Sequence, residues 1–135
     1  VQITRIRPAE LFGEVPYAYA SVTEPGALIF TAGACPLGED GRIVAPGDYE
    51  QQARKALDNL FAVLAAAGSS PSEVLKSTVY VASDRREHLL QAWNVVRAGF
   101  GGSDPPSTLL GVSVLGWPDQ LVEIEAVAAV NRATE

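Results

Sequence analysis

Between Gln120 and Val130 the chain reads QLVEIEAVAAV, a run that is apolar after its first residue except for two carboxylates. Successive side chains of a strand point to opposite faces. One face then carries Val122, Ile124, Ala126, Ala128 and Val130, a continuous stripe suited to lie under helices. The other carries Leu121, Glu123, Glu125, Val127 and Ala129, so both acids share a face with apolar neighbours. A carboxylate there sits either at a solvated edge or in a poorly hydrated place with a raised pKa.

The pattern upstream is punctuated by turns. Gln2 to Arg7 reads as a short edge strand, and Pro8 to Pro16 as a loop. Tyr17 to Thr23 alternates again and stops at Glu24-Pro25-Gly26, a turn signal. Ala27 to Ala32 (ALIFTA) is an apolar strand, so residues 17–32 are predicted to form a hairpin. Gly33 to Gly47 is irregular. Asp48 is a good N-cap, with Gln51 completing a capping box. From there Tyr49, Ala53, Ala56, Leu57, Leu60, Phe61 and Leu64 recur at helical spacing, and Gly68 ends the helix. Ser70 to Glu73 repeats the capping logic for a single turn. Val74 to Ala82 (VLKSTVYVA) is a β-branched and aromatic strand. Asp84 is the expected cap of a second helix, with Leu89, Trp93, Val96 and Phe100 on one face. Gly101 to Pro106 breaks that helix, Ser107 to Leu115 is a strand, and Gly116 to Asp119 turns into the closing strand.

The order β-β-β-α-β-α-β-β, two helices against about six strands, implies a two-layer α+β fold with both helices on one sheet face. The face bearing Leu121, Glu123, Glu125 and Val127 has no segment left to cover it. Self-association through that face is the expectation.

Composition narrows the function classes. At 135 residues the chain is expected to form a single domain, residues 1–135, with a core that needs no disulfide. A net charge of −6 argues against sequence-independent nucleic-acid binding, where Lys and Arg must neutralise phosphates. No apolar run approaches membrane-spanning length, and no basic–apolar leader opens the sequence. A lone cysteine points to a reducing compartment, so the cytoplasm is expected.

Five segments in order resemble the RidA (reactive intermediate deaminase, YjgF-type) family. They are Pro16-Tyr17-Ala18; Phe30 to Leu37 (FTAGACPL); Ala53 to Leu60 with Ala66 to Ser69; Val74 to Tyr80 (VLKSTVY); and Val122 to Ala128 (VEIEAVA). The resemblance implies a chorismate-mutase-like α+β fold, assembled as a homotrimer around a barrel of sheets with ligand clefts between subunits. It also implies hydrolysis of enamines and imines to a 2-oxo acid and ammonia, without metal or cofactor. Such chemistry needs a cation for the substrate carboxylate, an acid or base near the imine carbon and an oriented water.

Tyr17, Gly33 and Glu123 match the family's cleft. The family's clamping arginine does not: the stretch Asp104-Pro105-Pro106-Ser107-Thr108 puts Ser107 in its place. Losing a charge-assisted pair costs on the order of 2–5 kcal/mol when the partner charge stays buried. Trp93 stands where the family carries an asparagine on its second helix, with Asn94 adjacent. A divergent member is therefore expected, acting on a small-molecule substrate that is less anionic and bulkier or more aromatic.

Each candidate has a plainer reading beside the functional one. Glu123 is a general acid or water-orienting base, or a structural acid capped by backbone amides. Glu125 is structural, paired with a cation across an interface. Tyr17 binds substrate or is a packed ring with a satisfied hydroxyl. Cys35, beside the expected cleft, is a small buried thiol rather than a nucleophile, because a catalytic thiol needs a base. The only histidine, His88, sits among charges and is expected to face solvent. Ser107 and Thr108 hydrogen-bond a ligand or begin a strand, and Trp93 faces the cleft or the core. The leading function is an imine/enamine deaminase-type hydrolase with Glu123 catalytic and Tyr17, Gly33, Ser107, Thr108, Trp93 and Cys35 binding substrate. A non-catalytic metabolite-sensing trimer is the alternative, and an endoribonuclease the third reading.

Overall fold

The computed structural model describes residues 1–131. Its strands are β1 (Ile3–Ile6), β2 (Ala20–Thr23), β3 (Ala27–Phe30), β4 (Val74–Ala82), β5 (Ser107–Val112) and β6 (Val122–Val130). Its helices are α1 (Tyr49–Ala66) and α2 (Arg86–Phe100), with single 3-10 turns at Pro71–Glu73 and Gly101–Ser103. The fold is mixed α+β, as the periodicities imply. Four strands form the main sheet in the order β3-β6-β4-β5, and β1 and β2 form a separate ladder.

The alternation of the closing strand sorts its side chains as the pattern requires. Val122, Ile124, Ala126, Ala128 and Val130 are all buried under the helices, beside Val74, Val79 and Val81 of β4. Against them α1 lays Ala53, Ala56, Leu57, Leu60 and Leu64, and α2 adds Ala92, Val96 and Phe100. Full burial of residues such as Leu60 and Leu64 contributes roughly 1.5–3 kcal/mol each. On the opposite face Glu123, Glu125 and Val127 are half-buried. Leu28 and Phe30 stand beside them on β3, opposite Ala129 and Val127, and are 51% and 74% exposed.

Helix α1 starts and stops where expected, with half of the capping box in place. Asp48 accepts the Gln51 backbone N–H at 2.9 Å, while its own N–H donates to the Ala45 carbonyl at 3.0 Å instead of to the Gln51 side chain; Gly68 follows the last turn at φ +85°.

Three expectations are corrected. Residues 17–32 do not form a hairpin: β2 pairs antiparallel with β1, and β3 pairs antiparallel with β6. Alternation identifies a strand but carries no information about its partner, and β3 seats Ile29 against the core only beside β6. The second helix is not capped by Asp84. Arg85 takes the cap position with no side-chain cap bond, and Ser83 Oγ instead accepts the Arg85 N–H at 3.0 Å. Finally, His88 is half-buried rather than solvent-facing. Its ring stacks on Tyr49 at 4.2 Å, and its Nδ1 meets Ser83 Oγ at 2.7 Å. Tyr49 in turn donates its hydroxyl to the Ala82 carbonyl at 2.9 Å, which joins both helix starts to the end of β4.

Candidate functional site

Glu123 is built into place from three directions. Strand β6 projects it from the face opposite the helices, beside Tyr80 of β4. The loop after β3 is zipped to β6 by Ala34, whose N–H and C=O bond the Ile124 C=O and N–H at 2.7 and 3.1 Å. This lays Gly33 and Cys35 against the carboxylate. A Cβ on Gly33 would lie 2.2 Å from Glu123 Oε2 and 2.5 Å from its Cδ, so only glycine admits the acid here. Cys35 Sγ donates to Glu123 Oε1 at 3.2 Å, and Gln120 Nε2 donates to the same oxygen at 3.1 Å.

The surrounding polar groups hold this arrangement. Gln120 is only 4% exposed, and its other bonds join it to the Trp117 N–H and the Val122 carbonyl, both at 3.1 Å. Asn59 of α1 donates to the carbonyls of Cys35 and Leu37 at 2.9 and 3.0 Å, pinning the loop to the helix. Neither residue was singled out from the sequence. The available signal was polarity in the wrong place: an amide opening an apolar strand, and another beside the apolar stripe of a helix.

The Cys35 thiol is pushed up to about 11, first by burial and then by its hydrogen bond to Glu123 and that acid's charge. The Gln120 amide and the Trp117 indole pull it the other way. A thiol protonated at neutral pH is a donor and not a nucleophile.

A second group gathers elsewhere. Tyr17, Trp93, Ser107 and Thr108 line a cleft of about 550 Å³ together with Pro16, Leu90 and Leu109. Thus Trp93 borders both the core and this cleft. Tyr17 stands before β2, not within it; Arg7 donates to its carbonyl at 2.8 Å, and its ring meets Tyr19 edge-on at 5.7 Å. The Ser107 hydroxyl is already committed. It donates to the Pro105 carbonyl at 3.0 Å and sits 2.5 Å from Ser77 Oγ. One hydroxyl has one proton, so Ser107 has no donor left for a carboxylate while these bonds persist. The cleft is aromatic and apolar, and Gly33, Cys35 and Glu123 are not among its walls. The sequence-derived candidates therefore fall into two groups within one chain.

On the open sheet face Tyr80 donates to Glu125, a bond that raises the tyrosine's own pKa. The acid expected to pair with a cation takes a phenol within its own chain. Lys76 donates to Thr108 Oγ1, and burial lowers its pKa. Among the described residues no group of His, Cys, Asp and Glu is arranged to hold a metal ion, and no helix is long and apolar enough to cross a membrane.

A family model described as Endoribonuclease L-PSP matches residues 13–130. A RutC family protein of Pyrococcus horikoshii is 36% identical over 110 residues, covering 82% of this chain and 85% of that protein. An Escherichia coli K12 protein named "Putative reactive intermediate deaminase TdcF" is 36% identical over 64 residues, 47% of this chain and 48% of the other. Among solved structures, YyfB of the Rid protein family from Yersinia pestis superposes with a TM-score of 0.89 at 28% identity, covering 96% of this chain and 100% of that one.

Proposed function

The chain belongs to the Endoribonuclease L-PSP family, the YjgF/RidA group, and from that premise we propose that it hydrolyses imines or enamines and releases ammonia. The observation that carries this reading is the Glu123 carboxylate, tethered through one oxygen while the other lies over Gly33. A fixed carboxylate can take a proton from water as the water oxygen bonds to the imine carbon. It then passes that proton to nitrogen, giving a carbinolamine; the carboxylate next takes the hydroxyl proton as the carbonyl forms and hands it to the departing nitrogen, so the carbon–nitrogen bond breaks and ammonia leaves. No metal or cofactor enters this scheme.

The substrate class follows from the second group. The cleft around Tyr17 and Trp93 is aromatic, and Ser107 supplies neither charge nor a free proton. A bulky, weakly anionic imine suits it better than a simple 2-imino acid. In a homotrimer, the Glu123 group of one protomer and the Tyr17–Trp93 cleft of its neighbour would complete one site. The uncovered sheet face supports this assembly, and the lone cysteine suits the cytoplasm.

The test is an imine-hydrolysis assay on amino-acid oxidase products of increasing side-chain size. Glu123→Gln is expected to lower turnover about 100-fold or more, in the range that general acid–base groups supply. Unchanged turnover would remove Glu123 from the mechanism. The committed Ser107 hydroxyl also favours a second reading, a non-catalytic metabolite-binding trimer. That reading gains if no imine is hydrolysed while a metabolite raises the melting temperature. RNA cleavage is not expected from a chain of net charge −6.

A further inference from the structure

We propose that Gln120 and Cys35 are positioning residues that restrict proton transfer by Glu123 to a single oxygen, Oε2. The inference rests on the imine-hydrolysis reading and adds to it how the acid is held. Its strength lies in which groups can donate. The Gln120 side-chain oxygen faces the Trp117 backbone N–H, which can only donate. Its nitrogen faces the Val122 carbonyl, which can only accept. The amide therefore has one allowed orientation, and in that orientation it must present N–H to Glu123 Oε1.

Cys35 is held less tightly, because its single proton has two acceptors in reach and the Gln120 and Trp117 side chains approach its sulfur as donors. Glu123 Oε1 at 3.2 Å is nearer than the Gly33 carbonyl at 3.6 Å, so the thiol donates to the acid. Burial and the neighbouring acid keep that thiol protonated at neutral pH. Asn59 and the Ala34–Ile124 bridge hold the loop that carries it.

With two donors aimed at Oε1, a proton bound there would face two hydrogens. A neutral Glu123 must therefore carry its proton on Oε2. That oxygen accepts no hydrogen bond among the described residues, and it occupies the space over Gly33 where a side chain would be. Ionised, Glu123 receives a proton at Oε2; neutral, it gives one up from the same atom. The reacting water and the leaving nitrogen must both pass that position.

Two experiments test this. The first separates kcat from KM on the phenylalanine imine generated by an amino-acid oxidase. Cys35→Ala and Gln120→Leu should each lower kcat about tenfold while KM stays within about twofold. Cys35→Ser, which keeps a donor, should restore kcat. A merely structural role would give no loss specific to kcat and no rescue by serine, and that result overturns the proposal. Should Gln120→Leu fail to fold, the Cys35 pair decides.

The second experiment needs no turnover. Alkylation of Cys35 by iodoacetamide at pH 8.5 should be slow in the wild type and about tenfold faster in Glu123→Gln, once the neighbouring charge is gone. If the wild type hydrolyses no imine, the enzymatic reading falls while this rate still judges the contact. An alkylation rate unaffected by Glu123→Gln overturns the proposal in either case.

Discussion

Gly33, Cys35 and Glu123 lie far apart in sequence, yet one oxygen of the acid meets the thiol and the other fills the space over the glycine. Gly33→Ala would drive a methyl into the carboxylate at 2.2 Å. Because the clash is with a side chain, the acid moves and the backbone stays. The expected outcome is a loss of imine hydrolysis of about tenfold or more with little change in melting temperature. Cys35 makes stability depend on pH. Its thiol is raised from 9.0 to about 11 in the folded chain. Between those values the folded protein keeps a proton that the unfolded chain has released. The contribution is therefore present in full below pH 9 and is lost as pH rises through 11. A melting series should show the stability difference between wild type and Cys35→Ala shrinking across that window. The effect is modest because the thiol is only half-buried. At this scale the acid and its apolar neighbours were legible from alternation alone. Its donors were not, because nothing in the spacing of residues 35, 120 and 123 shows that they converge on one atom.

Single side chains bind the elements together where the periodic pattern is silent. Gln52 is fully buried in α1; its nitrogen donates to the Ala45 and Asp119 carbonyls, and its oxygen accepts the Leu121 N–H at 2.8 Å. This fixes the corner that leads into β6, immediately before Glu123. Gln52→Leu removes the side-chain partner of three backbone groups in partly buried bonds and should cost about 1–3 kcal/mol in urea unfolding, even though leucine is the more apolar residue. Gly99 of α2 packs directly against Leu57 and Phe61 of α1. A Cβ there would lie 2.1 Å from Leu57 Cδ2, on a side chain that is itself buried. Alanine gains about 1 kcal/mol of helix propensity, and overpacking costs about 1–3, so Gly99→Ala should be net destabilising by about 1 kcal/mol. The start and end of α1 were readable because Asp48, Gln51 and Gly68 act on neighbours in sequence. The start of α2 was not, because His88 packs on Tyr49 from the other helix. The hairpin expected over residues 17–32 failed for the same reason: β3 is held by β6, nearly a hundred residues away along the chain.

Among the described residues the main sheet has one face under the helices and one uncovered. The uncovered face carries Leu28, Phe30 and Leu110, at 51%, 74% and 43% exposure, around the Tyr80–Glu125 and Lys76–Thr108 pairs. Apolar residues on a sheet face that also holds oriented polar pairs are what an interface between identical chains requires. Sedimentation should find a trimer, and Leu28→Lys with Phe30→Lys should dissociate it while the helix-side core keeps each protomer folded. A wild-type monomer would separate the Glu123 group from the Tyr17–Trp93 cleft and remove the shared-site reading.

The residue pattern by itself determined the α+β class, the two helices, the inward and outward faces of β6 and the position of Glu123 on the outward one. Those properties come from interactions between residues a few positions apart, or from a side-chain period of two. Only the tertiary structure decided which strands pair, which donors meet the acid and that Ser107 has already committed its proton. Each of these depends on groups that the chain brings together from distant positions, and local periodicity holds no record of such meetings.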